Sequence, residues 1–166
     1  MSTGSVNKTI LCIDDHLAGL EIRKRVLESR GFNILTASSG QAGLAMLDMS
    51  SVDAVLLDYK MEGMDGEAVA TEIRRTKPSL PIVLLSGYPS EIPERMLQMV
   101  DAFVVKGQPV EALFTALDAV TGVLPENRKP VTDWAETLAE SERLVKSARD
   151  TIAQIEVEGE KRKKAG

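Results

Sequence analysis

A chain of 166 residues has room for one well-cored domain and a small appendage, and is too short for two domains of ordinary size. Its 43% hydrophobic and 27% charged residues lie near globular averages, which argues against a disordered chain and a membrane protein, and the net charge of −5 gives no general attraction to nucleic acid. No run approaches the roughly 20 apolar residues of a spanning helix, the polar start Met1 to Lys8 lacks the regions of a signal peptide, and the single cysteine, Cys12, excludes an internal disulfide framework.

These features predict a soluble, cytoplasmic protein with Cys12 buried as a small hydrophobe. In chain order, short apolar runs occur at Thr9 to Ile13, Phe32 to Ala37, Ala54 to Leu57, Ile82 to Leu85 and Ala102 to Val105. Each has the length of a strand buried on both faces. Helical spacing fills the intervals: Leu17, Leu20, Val26 and Leu27; Ala42, Leu44, Ala45 and Leu47; Val69 and Ile73; Ile92, Met96 and Met99; and Val110, Leu113, Leu117 and Val120. Gly31 supplies a stop after the first helix, Ser38 or Ser39 a cap for the second, and Pro78 with Pro81 ends the third. Repeated βα units with short connections imply a parallel sheet covered on both faces, because parallel neighbours need crossovers. The fold class expected for residues 1–121 is therefore α/β, a doubly wound five-stranded parallel sheet.

Residues 122–130, bounded by Gly122 and Pro130, read as a linker. Residues 131–160 carry Trp134, Leu138, Ser141, Val145, Ala148, Ile152 and Ile155 at alternating spacings of four and three, an amphipathic helical extension with a heptad stripe. Residues 161–166 form a basic tail with Lys161, Arg162, Lys163 and Lys164. The stripe suits a parallel coiled-coil homodimer; folding back on the domain and docking a partner remain open, as does a solvated helix. About 36 residues cannot bury the core of a DNA-binding effector domain, so no nucleic-acid output and no membrane association are expected.

In an open parallel sheet the ligand site lies beyond the carboxyl ends of the strands. There the sequence holds Asp14 and Asp15 after the first run, Asp58 after the third, Ser86 and Gly87 after the fourth, and Lys106 after the fifth. Carboxylates packed this closely repel, and Mg²⁺ relieves that repulsion through oxygen ligands. With Mg²⁺ held by Asp15 and Asp58, and Asp14 nearby, Asp58 is a competent nucleophile for an acyl phosphate. The ammonium of Lys106 and a donor at Ser86 would compensate charge on the transferring oxygens. Taken singly, each residue also has a bland use: Asp14 or Asp15 as a helix cap, Ser86 in a turn, Lys106 as surface charge. His16, the one histidine, has no partner for metal binding and is expected to be a solvated first-turn residue.

The residues from about Lys8 to Val120 resemble the receiver domain of bacterial two-component response regulators. Asp14 and Asp15 look like that family's acidic pair, Asp58 its phosphoacceptor, Ser86 and Gly87 its switch hydroxyl and neighbour, and Lys106 its lysine. The resemblance implies the flavodoxin-like strand order 2-1-3-4-5, Mg²⁺ as cofactor, and the main-chain carbonyl of Lys60 as a further metal ligand. It also implies an aromatic switch at Phe103, which simple core packing would equally explain. A histidine kinase or phosphotransfer protein would be the donor, a downstream protein the reader, and the chain no enzyme beyond its own phosphorylation and dephosphorylation. Two departures stand out: Glu62 where a proline is usual, and Gly107-Gln108-Pro109 after Lys106 instead of proline directly. Lys60 and Tyr88 occupy positions where the family varies dephosphorylation rate. A scaffold that no longer takes phosphate would be indicated by a missing acid or lysine, and none is missing. A Mg²⁺-dependent phosphohydrolase would place a second aspartate two residues after the nucleophile, where Lys60 stands.

Overall fold

The computed structural model describes residues 7–123. Strands β1 (Thr9–Ile13), β2 (Asn33–Ala37), β3 (Ala54–Asp58), β4 (Ile82–Ser86) and β5 (Ala102–Val105) alternate with helices α1 (Leu17–Ser29), α2 (Gly40–Met49), α3 (Gly66–Thr76), α4 (Glu94–Met99) and α5 (Val110–Thr121). All strand pairs are parallel and the order is β2-β1-β3-β4-β5, as expected. β3 and β4 are buried along their whole length, which is why they read as continuous apolar runs without alternation.

Side chains on a strand point to opposite faces in turn, and the two cores follow that rule. Ile10, Cys12, Leu56, Val83, Leu85 and Val104 pack with α1 and α5, through Leu20, Leu27, Leu113 and Leu117. Leu11, Ile13, Val55, Leu57, Ile82 and Leu84 pack with α2, α3 and α4, through Leu47, Val69, Ile73 and Met96. Cys12 is buried as expected, and burial pushes its thiol up to about 12, so it stays an uncharged core group.

The helix boundaries follow local chemistry. Ser39 caps α2 by accepting from Ala42 N, and Asp65 caps α3 by accepting from Ala68 N. α3 also has Glu67 in its first turn and Arg74 and Arg75 in its last, the arrangement that complements the helix dipole. Arg74 then reaches the carbonyls of Met99 and Leu80, each at 2.7 Å, and Asp101 Oδ2 at 2.7 Å, tying α3 to the entrances of β4 and β5.

The fourth helical segment differs from expectation. It starts later than the spacing from Ile92 implies, as a six-residue α4 that begins only after Pro93, and a 3-10 turn over Pro89–Glu91 precedes it. Ile92, held extended before that proline, lies between them. β2 starts at Asn33 instead of Phe32, while β3 and β4 each run one residue further than their apolar runs, to Asp58 and Ser86. Leu17 and Ala45, counted among the helical apolar positions, are exposed. Among the described residues no helix is long and apolar enough to cross a membrane. The heptad stripe from Trp134 to Ile155, the basic tail and most of the linker lie outside the described residues.

α3 approaches the end of β3 closely at Gly66, whose amide donates to Tyr59 O at 2.9 Å. A Cβ there would stand 2.6 Å from Asp58 O and 2.9 Å from Tyr59 Cα. Gly66→Ala is expected to destabilise the protein by about 1–3 kcal/mol, since backbone and not a flexible side chain must move; a urea midpoint equal to wild type would contradict that packing.

Candidate functional site

The period-two alternation that builds the cores also aims the polar residues at the strand ends. Asp14 and Asp58 continue the parity of Cys12 and Leu56, and Lys106 that of Val104, so these three belong to the α1/α5 side of the sheet. Ser86 continues the parity of Leu84 and shares it with Phe103, on the α4 side. The parallel order makes β1, β3 and β4 successive neighbours, with β5 beside β4, and their carboxyl ends converge.

Asp14 and Asp58 are 2% and 4% exposed, whereas Asp15 is open to solvent. One oxygen of each of the three carboxylates lies within 4.8 Å of the others. Each acid is held by an internal donor. Asp14 Oδ1 accepts from His16 N at 2.8 Å, and its Oδ2 pairs with the Arg23 guanidinium. Asp15 Oδ2 accepts from Glu62 N at 2.9 Å. Lys106 Nζ lies 2.7 Å from Asp58 Oδ1 and 3.5 Å from Asp14 Oδ2. Burial pushes the Asp58 carboxyl above its ordinary value, the Lys106 hydrogen bond opposes that, and the neighbouring Asp14 charge adds to the rise.

Ser86 is 2% exposed; its Oγ accepts from Tyr88 N at 3.1 Å and its carbonyl from Lys106 N at 2.8 Å, which couples the hydroxyl to the strand end carrying the lysine. Gly87 follows in an open position, where an added Cβ would meet nothing closer than Lys106 Cβ at 4.0 Å. Phe103 is half-buried, pairs in register with Leu84 and packs against the α4-side core. Lys60 lines a cleft with Asp15, Glu62 and Glu91; its ammonium is 2.5 Å from Glu91 Oε2 and 4.6 Å from the centre of the Tyr88 ring.

Both departures from the family pattern have a local explanation. Glu62 supplies the N–H that holds Asp15, a donor that proline lacks. After Lys106, Gly107 adopts φ 91°, and the Gln108 amide returns to Val105 O at 3.2 Å, forming a turn before Pro109 leads into α5.

Three roles went unread in the sequence. His16, expected to be merely solvated, caps α1 by accepting from Gly19 N at 3.0 Å, a use weighed only for Asp14 or Asp15 as the bland alternative to metal binding. Glu91 comes from the 3-10 turn that precedes the fourth helix. Arg23 was legible in principle, because it falls on the buried stripe of α1 between Leu20 and Leu27, and a charge there calls for a partner. The donor chemistry fits Mg²⁺: three clustered carboxylates among which the described residues place no thiol or imidazole ligand.

Residues 10–118 match the family described as response regulator receiver domain. The chain is 32% identical over 157 residues to the transcriptional regulatory protein GlrR of Escherichia coli K12, covering 89% of this chain and 34% of that protein. It is 31% identical over 128 residues to the sensor protein GacS of Pseudomonas syringae, covering 73% of this chain and 14% of that protein. The chain thus spans about a third or less of the length of these relatives. Among solved structures, the response regulator protein TrrA of Thermotoga maritima, in complex with Mg²⁺ and BeF, superposes with a TM-score of 0.65 at 32% identity. That match covers 68% of this chain and 98% of TrrA.

Because the folded carboxyl at Asp58 is raised, its contribution to stability is fully present below the ordinary carboxylate value and is lost as pH rises through the raised one. Without divalent cations, Asp58→Asn is therefore expected to melt higher than wild type at neutral pH, with the gap closing as pH falls below about 4. Differential scanning calorimetry checks this, and an equal or lower Tm for the variant at neutral pH would contradict it.

Proposed function

Since this chain belongs to the response regulator receiver domain family, we propose that it accepts a phosphoryl group on Asp58 from a phosphohistidine of a histidine kinase or phosphotransfer protein. The observation that carries this reading is the Lys106 ammonium 2.7 Å from Asp58, inside a cluster of three carboxylates that fits Mg²⁺. A carboxylate oxygen of Asp58 attacks phosphorus, the donor's P–N bond breaks, and an acyl phosphate forms. Asp14, Asp15, Asp58 and the main-chain carbonyl of Lys60 would hold Mg²⁺, which when bound would neutralise phosphoryl charge.

Within the chain, Lys106 is anchored to receive one phosphoryl oxygen, and the Ser86 hydroxyl and Gly87 amide would meet another. His16 N, Arg23 and Glu62 N keep Asp14 and Asp15 oriented. Burial pushes the Asp58 carboxyl above its ordinary value and the Lys106 ammonium opposes that rise, so added positive charge would favour the ionised nucleophile further. The chain is no turnover enzyme in this reading; its chemistry is its own phosphorylation and dephosphorylation.

The output is protein contact. Ser86 moving toward the phosphoryl group would vacate space on the α4 side, Phe103 shares that side, and the α4, β5 and α5 face would change for a downstream partner. Residues 1–121 form the receiver in this proposal, 122–130 a linker and 131–160 a helix whose stripe supports a homodimer, with no direct nucleic-acid or membrane contact from these segments.

Intact mass after incubation with Mg²⁺ and a small acyl-phosphate donor is expected to rise by one phosphoryl group in wild type and not in Asp58→Asn; no gain in wild type under any Mg²⁺ condition would overturn the proposal. Phe103→Ala is expected to take up phosphate normally but to lose phosphorylation-dependent partner binding about tenfold or more, the cost of about 1.4 kcal/mol of differential contact. Titration calorimetry checks this, and unchanged phosphorylation dependence would remove the aromatic switch.

A further inference from the structure

Arg23 brings a full positive charge against Asp14, more than holding that carboxylate in place requires. Its side chain is 16% exposed and pairs with Asp14 Oδ2, while Asp14 is 2% exposed. The other oxygen of Asp14 is occupied by His16 N at 2.8 Å, and Lys106 Nζ stands 3.5 Å from the oxygen that Arg23 holds. Both oxygens of Asp14 are therefore engaged by this chain's own donors. The guanidinium passes over Gly19, one turn earlier on α1, where an added Cβ would lie 3.0 Å from His16 Nδ1 and 3.3 and 3.4 Å from Nη2 and Nη1 of Arg23. The missing side chain at 19 leaves the surface of the helix free for the guanidinium to cross to the acid.

Among the three carboxylates and the two cations that touch them, the sum is −1, and a divalent cation entering this cluster meets two resident positive charges. Lys106 is the phosphoryl partner of the reading above. Arg23 is more enclosed, with a side chain 16% exposed against 37% for Lys106, and it is fixed on a helix. We propose that Arg23 is a resident counter-ion that neutralises Asp14 in the metal-free protein and weakens Mg²⁺ binding by competing for that carboxylate. It is a positioning residue, acting through Asp14. The inference rests on the reading of Asp14, Asp15 and Asp58 as the Mg²⁺ ligands.

Two consequences separate competition from simple scaffolding. If Arg23 competes, removing its charge tightens Mg²⁺ while leaving Asp14 uncompensated in the metal-free state. If Arg23 only aims Asp14 at the metal, removing it weakens Mg²⁺. Arg23→Gln keeps an amide donor for Asp14 and removes the charge; Arg23→Lys keeps a charge. Calorimetric titration of MgCl₂ into the full chain is expected to give a Kd about tenfold lower for Arg23→Gln, from the loss of one nearby unit charge at partly screened range, and within about threefold of wild type for Arg23→Lys. In thermal melts, Arg23→Gln should lie below wild type without metal and show the larger rise in Tm when Mg²⁺ is added. An Arg23→Gln Kd equal to or higher than wild type, with wild type binding normally, would overturn the counter-ion role alone, as would an equal tightening by Arg23→Lys. Absence of saturable Mg²⁺ binding in wild type would overturn the metal reading and this inference with it.

Discussion

Two carboxylates buried next to each other at the carboxyl end of a parallel sheet repel, and the cations beside Asp14 and Asp58 answer that repulsion. Lys106 bridges them at 2.7 and 3.5 Å, and Arg23 holds the same oxygen of Asp14 that Lys106 approaches. Even with these cations in place, burial keeps the Asp58 carboxyl above its ordinary value. The cluster thus sits in a state that added positive charge relieves, which is the physical ground on which a metal-dependent phosphoacceptor can operate.

The fold delivers these charges by the simplest property of a strand. The alternation that buries Cys12, Leu56 and Val104 against α1 and α5 sends the next residues of that parity, Asp14, Asp58 and Lys106, toward the same side. The opposite parity sends Ser86 and Phe103 to the α4 side. A phosphoryl group on Asp58 would sit between a charged side anchored by α1 and an apolar side capped by a six-residue α4. That short helix follows a 3-10 turn and Pro93 and is held to α3 through Arg95 and Glu67.

Much of this was legible in the sequence. β3 and β4 were visible because strands buried on both faces read as unbroken apolar runs, and the acids, serine and lysine were visible because they directly follow such runs. The strand order came from resemblance to a family and not from the runs themselves, since parity and length do not decide which edge a strand occupies. What escaped were interactions across sequence distance or through the backbone. Arg23 meets Asp14 only after α1 has fixed its rotation, Glu62 contributes an amide instead of its carboxylate, and His16 takes the cap because its Nδ1 reaches Gly19 N. Pro93 was plain in the sequence, yet the apolar spacing of Ile92, Met96 and Met99 masked its effect on the fourth helix.

The central claim is that the nucleophile of the cluster is Asp58 and no other acid. Borohydride trapping tests it most directly: after phosphorylation from an acyl-phosphate donor with Mg²⁺, reduction converts an aspartyl phosphate to homoserine, and peptide mass mapping locates it. The account predicts homoserine at position 58 alone, abolished when Mg²⁺ is chelated. Homoserine at position 14 or 15, or trapping at 58 that is indifferent to Mg²⁺, would contradict it.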